Sequence, residues 1–254
     1  MSTKESTDKP GGAALLRYLE RTTELHRDAL LESSLAPEIA HLRRWQSERL
    51  AWTHADMMNN PRYRGAMEFF REELYGPKDF SQRDADIARV YPLMVQVLPD
   101  QALEALSRAL ELNVLSHELD ARLVQELKAL DANEHITETA YCEAYRRCDN
   151  YSARRHQIEL INQLAHELDR VVHQRFIGSA LKLARRPAKL AGFGALQTFL
   201  ERGYAAFRRI KGADQFIETI VNRELELLDR IYAGETRPFG FEPAADKADN
   251  KPSN

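Results

Sequence analysis

Apolar side chains recur at intervals of three and four residues along almost the whole chain, and this spacing restricts the fold more than any other feature. Such intervals place apolar residues on one face of an α-helix, whereas a half-buried β-strand requires apolar residues at alternate positions. No convincing alternating stretch occurs. The chain is also poor in helix breakers, with 11 Gly and 10 Pro among 254 residues. The sequence therefore predicts an all-α fold.

Prolines, glycines and capping residues divide this pattern into about nine helices that are joined by short loops. Thr137 is a predicted N-cap, and Pro92 is predicted to kink the helix that contains it. One helix is predicted to run without interruption over residues 37–59. A longer one is predicted over residues 152–186, where Pro187 ends it. Short loops of this kind favour a single bundle or globule.

The two ends of the chain differ in composition from the middle. Residues 1–12 and 235–254 are rich in Ser, Thr, Lys, Asp, Gly and Pro, so we expect disordered tails there. A length of 254 residues is at the upper end for one domain. We therefore predict a single helical domain over residues 13–234.

Charge and hydropathy exclude several classes of protein. The formal net charge of −3 gives no general attraction to nucleic acid or to anionic membranes. No stretch approaches the ~20 apolar residues that span a bilayer, and residues 1–12 lack the apolar core of a signal peptide. We therefore expect a cytoplasmic protein without a transmembrane segment. Cys142 and Cys148 fit neither a redox pair nor a zinc site, so both are predicted to be buried free thiols.

Familiar catalytic and cofactor motifs are missing. There is no Gly-x-Ser-x-Gly, no phosphate-binding loop, no dinucleotide fingerprint, and no pair of Glu-x-x-His motifs for a di-metal bundle. His117, Glu73 and Asp120 could form a mononuclear metal site, but one histidine among scattered carboxylates is weak evidence for it. We therefore predict neither a cofactor nor a metal.

Residues 69–77 read Phe-Phe-Arg-Glu-Glu-Leu-Tyr-Gly-Pro and resemble the signature of a bacterial family known for its FFLEELY motif. Arg71 stands where the signature has Leu, at a position predicted to face solvent. The resemblance covers most of residues 38–232 and supports a helical fold. The family has no assigned reaction, ligand or catalytic residue, so the resemblance implies no mechanism. Further matching segments lie at residues 44–47, 81–86, 194–197 and 199–203.

Helical projections place several polar side chains on faces that are otherwise apolar. Glu73 lies among the apolar residues of the third predicted helix, and His117 and Asp120 lie among those of the fifth. Buried carboxylates either take up a proton or acquire a cationic partner. We predict that the inward-facing polar residues converge into one network or one pocket. They are Arg49, Asp56, Glu73, Arg83, Asp86, Asn113, His117 and Asp120.

This predicted cluster has two interpretations. It could be a closed, hydrogen-bonded network that fixes helix packing, since buried charges persist when they are paired. It could instead be a ligand or catalytic site, in which Glu73 or His117 acts as acid or base. An open concavity lined by Glu73, Arg83 and His117 would favour a site, whereas a closed cluster would favour a scaffold.

The stretch 170–189 contains six basic residues and no acidic one. Part of this charge is explained by the helix dipole, which favours cations near a helix C-terminus. The functional interpretation is a docking surface for anionic lipid or an acidic partner. Nucleic acid is disfavoured, because no stacking aromatic residues alternate with the basic ones. The predicted docking residues are Arg175, Lys182, Arg185, Arg186 and Lys189.

Three functions follow from these features. We favour a non-catalytic binding protein of the adaptor or regulatory kind, which engages a protein partner or a small molecule. The first alternative is an enzyme that acts on a small molecule through Glu73 and His117. The second alternative is peripheral association with anionic lipid through residues 170–189.

Overall fold

The computed structural model describes residues 10–31, 36–73, 81–97, 100–210 and 212–242, and within them the chain forms eleven α-helices and no β-strand. The predicted all-α class is therefore confirmed. The helices are α1 (Pro10–Leu31), α2 (Ala36–Thr53), α3 (Ala55–Asn59), α4 (Arg64–Glu73), α5 (Ser81–Val97), α6 (Asp100–Ala129), α7 (Glu138–Arg147), α8 (Tyr151–Val172), α9 (Ile177–Leu190), α10 (Gly194–Arg208) and α11 (Asp214–Tyr232).

The helix predicted over residues 37–59 is interrupted at His54. His54 has φ −118° and ψ 30°, which lie outside the α-helical region. The interruption lasts one residue, because the amides of Met57 and Met58 both donate to the carbonyl oxygen of His54 and start α3 at once. The departure from helical geometry directs the His54 imidazole into the interior, where it is fully buried.

The prediction of one continuous helix over residues 152–186 is also wrong. It ends at Val172, and after four non-helical residues α9 begins and runs through Pro187 to Leu190. The break lets α9 turn back along α10 instead of projecting into solvent. At Gly178 the two helices are so close that an added Cβ would lie 2.4 Å from the hydroxyl oxygen of Tyr204. Pro187 lies inside α9, on its exposed side, and does not end the helix as predicted.

The longest helix, α6, forms the centre of the fold. It spans 30 residues and packs against α1, α2, α7 and α8. Helix α11 packs along α8, and α10 lies between α4 on one side and α9 on the other. Helix α9 is therefore a peripheral element that rests mainly on α10.

Three groups of buried apolar residues hold these helices together. One joins α1, α5 and α6 around Leu15 and Leu103, and another joins α4, α8, α10 and α11 around Phe207 and Phe216. The third joins α2, α6 and α7 around Trp45, whose ring stacks on that of Tyr141 with centroids 4.3 Å apart. Each fully buried Leu or Phe side chain contributes about 1.5–3 kcal/mol to folding.

The described structure extends beyond the predicted domain at both ends. Helix α1 begins at Pro10, within the stretch predicted to be a tail. After α11, residues 235–242 return to α2 and α7, and Phe241 is only 5% exposed there. The prediction of a disordered tail overlooked two phenylalanines, Phe239 and Phe241, which provide apolar area in a polar stretch.

Several local predictions agree with the structure. The Oγ1 of Thr137 accepts a hydrogen bond from the amide of Ala140 at 3.2 Å, as expected of an N-cap. Pro92 lies inside α5. Cys142 and Cys148 are buried free thiols. None of the helices in the described ranges combines the length and apolarity needed to cross a membrane.

Candidate functional site

Glu224 of α11 is the centre of a buried ionic network at the junction of α2 and α3. Its carboxylate oxygens accept hydrogen bonds from the Nη1 of Arg49 at 2.7 and 2.8 Å. The Nε2 of His54 lies 2.8 Å from the same carboxylate. The adjacent Arg223 donates through two nitrogens to the carboxylate of Asp56, at 2.8 and 3.1 Å. The network thus ties the end of α2 and the start of α3 to α11.

Both ring nitrogens of His54 have polar neighbours. Nε2 faces the carboxylate of Glu224, while Nδ1 lies 3.2 Å from the guanidinium of Arg223. With both nitrogens occupied and the ring fully buried, His54 presents no nitrogen to a substrate.

The surroundings of Glu224 keep its carboxyl group ionised and paired with cations. Burial alone would raise the pKa of this carboxyl, but the charge of Arg49 and the hydrogen bond from His54 outweigh burial and hold the pKa at about 2. The pKa of Asp56 is also lowered, because Arg223 donates hydrogen bonds to its ionised form. Neither carboxylate has the raised pKa that a general acid near neutral pH requires.

Asp120 of α6 belongs to a second polar group, which faces the middle of α2. One of its carboxylate oxygens accepts from the Nε of Arg43 at 3.1 Å, and the other accepts from the Nε2 of Gln46 at 3.2 Å. The Nη2 of Arg43 also lies 3.5 Å from the Nδ1 of His117. Asp120 and Gln46 are buried, so this group fixes α2 against α6.

The structure therefore does not gather the predicted inward-facing residues into one site. Arg49 and Asp56 contact α11, whereas Asp120 and His117 contact the middle of α2. Asp86 is buried in α5, 3.8 Å from the Nη1 of Arg89, and Asn113 is half-buried in α6. The side chains of Glu73 and Arg83 lie outside the described residues. Sequence periodicity places a residue on a face, but it does not say which helix that face meets.

An open groove of about 310 Å³ lies between α1 and α6. Within the described part of the chain, no three His, Cys, Asp or Glu side chains are arranged to hold a metal ion. The groove is lined in part by Arg17, Tyr18, Glu104, Ser107, Arg108 and Glu111.

The sequence contained a signal for one partly buried and one buried acid, Glu224 and Glu138, that our prediction missed. On α11, Glu224 projects into the middle of the apolar arc, with Ile220 one turn before it and Leu228 one turn after it. On α7, Glu138 shares the buried face with Tyr141 and Cys142. The projection that selected Asp120 would have selected both. His54 and Arg223 carry no such signal, because their roles depend on the helix break.

The predicted basic segment spans the end of α8, the connection at residues 173–176 and most of α9. Phe176, Leu183 and Leu190 are 64%, 82% and 90% exposed. They recur every seven residues, about two helical turns, so they form one stripe along the helix. No residue of α9 is buried. A second stripe, which consists of Arg175, Lys182 and Lys189, runs beside the first, one residue earlier at each position, and Arg186 lies near both. We call these seven residues the α9 face.

Arg185 is the predicted docking residue that does not belong to the α9 face. Its guanidinium makes a two-point ion pair with Glu201 of α10, at 2.8 and 2.9 Å. The amide of Gln197 donates to the carbonyl oxygen of Leu181 at 2.8 Å and adds a second link between the helices. Arg185 differs from Arg186 because successive helical positions are rotated by about 100°, so that Arg185 faces α10 and Arg186 points away from it. The hydrogen bonds from Arg185 lower the pKa of Glu201, and Glu201 is also close enough to Lys189 of the α9 face for that charge to contribute.

A comparison with protein families assigns most of this chain. The model of a domain of unknown function (DUF8198) matches residues 25–238. The chain belongs to the DUF8198 family. The match begins inside α1 and ends after α11, so it covers ten of the eleven described helices in full. No curated protein and no solved structure matches the chain.

Proposed function

We propose that this protein is a non-catalytic docking protein that binds the surface of an anionic lipid bilayer through the α9 face. One observation carries the proposal: three large apolar side chains stand 64–90% exposed in a line, directly beside a line of basic residues. Large apolar residues in such an array are costly to leave in water and indicate an interaction surface. Apolar and basic stripes on one exposed helix are typical of helices that lie in the membrane interface.

The physical magnitudes are sufficient for reversible binding. Full burial of Phe176, Leu183 and Leu190 would contribute about 1.5–3 kcal/mol each. Each basic residue near an anionic surface contributes about 1 kcal/mol. These terms are partly offset by the loss of translational and rotational freedom on binding. Because the whole chain carries a net charge of −3, an anionic surface attracts the α9 face and repels most of the remaining surface, which orients the protein.

The shape of the α9 face favours a bilayer over a protein groove. The apolar stripe runs along the outer side of a peripheral helix and spans about 21 Å. Such a ridge requires either a matching groove or a deformable surface, and the interfacial region of a lipid bilayer is deformable. A protein partner is therefore the outcome to consider if lipid binding is not observed.

Cellular context forms part of the proposal. We place the protein in the cytoplasm, where the membrane leaflet carries anionic lipids. We also retain the bacterial origin implied by the resemblance of residues 69–77 to the FFLEELY signature. The buried polar groups around Glu224 and Asp120 then act as the scaffold that holds the helices. The enzyme alternative gains no support from the described geometry, because Nδ1 of His117 faces the guanidinium of Arg43.

The test is co-sedimentation with vesicles. The full chain is mixed with phosphatidylcholine vesicles that contain either no phosphatidylglycerol or about one third of it, at low and high salt. We expect binding to the anionic vesicles that weakens with salt. Leu183→Ser should lower the partition coefficient roughly 30-fold, since it removes about 2 kcal/mol of apolar burial. Lys182→Gln combined with Lys189→Gln should have a similar effect.

Matched variants elsewhere on the molecule serve as controls. Leu16→Ser removes a partly exposed leucine from α1, and Arg44→Gln removes an exposed charge from α2. Neither should change vesicle binding, because neither residue belongs to the α9 face. The proposal is refuted if the wild-type chain binds anionic vesicles no better than neutral ones, or if the control variants weaken binding as much as Leu183→Ser does.

A further inference from the structure

The last described residues of the chain occupy a groove formed by Trp45, Trp52, Glu138 and Tyr141, which we call the aromatic groove. Residues 235–242 follow α11 without regular secondary structure and cross α2 and α7. The ring centroid of Phe241 lies 5.3 Å from that of Trp45. The ring centroid of Phe239 lies 6.0 Å from that of Tyr141. The two phenylalanine rings thus fill the groove in edge-to-face geometry.

The groove also binds the main chain between the two phenylalanines. The carboxylate of Glu138 accepts hydrogen bonds from three successive amides, those of Phe239 at 2.6 Å, Gly240 at 3.1 Å and Phe241 at 2.7 Å. Successive amides that converge on one anion form a backbone nest, which requires a left-handed residue. Gly240 supplies it, with φ 57°. From the opposite side, the indole Nε1 of Trp52 donates to the carbonyl oxygen of Phe239 at 3.2 Å.

These contacts have the chemistry of peptide recognition. Hydrogen bonds to the main chain provide binding independent of sequence, while pockets for alternate side chains select the aromatic residues. The groove selects glycine at the position between the two aromatic residues, because that position has a positive φ. The guanidinium of Arg49 lies 5.1 Å from the ring centroid of Phe239, so the groove also pairs one aromatic ring with a buried cation.

The connection between α11 and the aromatic groove suits an exchangeable ligand. Glu235 is held to the body of the protein, because Arg230 pairs with its carboxylate and Arg146 donates to its carbonyl oxygen. Thr236 is exposed, and burial resumes at Pro238. Arg237 belongs with the bound segment, because its guanidinium lies 3.9 Å from the carboxylate of Glu138 and pairs with Glu242 at 2.9 Å. Thr236 is therefore the connection between α11 and the segment in the groove.

We propose that the aromatic groove is a binding site for aromatic–Gly–aromatic peptide segments, and that residues 237–242 are its resident ligand. A partner that carries such a segment binds by displacing the chain's own copy. Removing the resident segment without replacement would expose Trp45 and the Glu138 carboxylate to water. The groove therefore exchanges one segment for another and is not expected to stay empty.

Binding of a separate peptide tests this site. The probe is a fluorescently labelled peptide with the sequence of residues 237–242, and the protein is the full chain with Phe239→Ala and Phe241→Ala. This variant keeps the groove but disables its resident ligand. We expect saturable binding at least tenfold tighter than to the wild-type chain, whose own segment competes at a high effective concentration. A peptide with both phenylalanines replaced by Ala should not bind. Glu138→Gln added to the variant should weaken binding at least tenfold.

The outcomes separate clearly. A folded variant that does not bind the peptide overturns the proposal. If circular dichroism shows that the variant is unfolded, amide hydrogen exchange of the wild-type chain decides. Exchange at residues 239–241 at least tenfold faster than in the core of α7 supports a displaceable segment, and equally slow exchange overturns it. A concentration-dependent dimer that is lost in the variant also supports the site and identifies a second copy of the chain as the partner.

Discussion

Replacing Glu224 by Gln is the sharpest test of the conclusion that the buried polar groups serve the scaffold. In the folded chain the pKa of Glu224 falls from its ordinary value of 4.5 to about 2. That difference corresponds to about 3 kcal/mol of unfolding free energy at neutral pH. Because the folded-state pKa is depressed, this contribution is present above pH ~4.5 and is lost as the pH falls toward 2. Glu224→Gln should therefore cost about 3 kcal/mol at pH 7, since it removes the carboxylate that accepts two hydrogen bonds from the buried Arg49.

The assay is urea unfolding followed by far-UV circular dichroism at several pH values between 2 and 7. Glu226→Gln is the matched control, because Glu226 lies two residues further along α11 and is exposed. It should change the unfolding free energy by less than about 0.5 kcal/mol. The stability difference between wild type and Glu224→Gln should shrink steadily below pH 5. A pH-independent difference, or equal effects of the two substitutions, would refute the reasoning about this network.

Two smaller predictions concern α7. Thr137→Ala removes the N-cap hydrogen bond to Ala140 and should destabilise the protein by about 1 kcal/mol, a loss of about 2–4 °C in melting temperature, whereas Thr198→Ala on the exposed face of α10 should be nearly neutral. Burial raises the pKa of Cys142 to about 12, so its thiol should react with a disulfide reagent at neutral pH only as fast as the protein unfolds. Rapid labelling of Cys142 in the folded protein, or an unchanged melting temperature for Thr137→Ala, would contradict these expectations.

The helical architecture could be predicted from the sequence because the residues that define each helix lie close together along the chain. Intervals of three and four residues define amphipathic helices, and residues such as Thr137 and Pro92 act within one or two turns of their own position. The two errors of continuity have a different origin. The breaks at His54 and after Val172 depend on what lies opposite them: the Glu224 carboxylate in the first case and α10 in the second. Such contacts are distant along the chain and leave no periodic signal.

The candidate sites show the same distinction. The basic residues Lys182, Arg186 and Lys189 were identified because sequence directly shows a run of charge without acids. The exposure of the neighbouring Leu183 and Leu190 was not predictable, since apolar residues at this spacing usually belong to a core. Arg49, Asp86 and Asp120 are buried, as the helical projections predicted. The projections could not show which helix each buried face contacts, because α2 meets α6 at its middle and α11 at its end.

The packing of the first and last described residues has a practical consequence for where the chain can be shortened. The family match covers residues 25–238, yet α1 begins at Pro10 and buries Leu15 and Leu19 against α5 and α6. At the other end the match stops one residue before Phe239, whose ring packs edge-on against Trp45. A chain trimmed to the limits of the family would therefore lose side chains from two of the three core groups. Shortened versions of this chain should therefore keep the 15 residues before the match and at least the four after it.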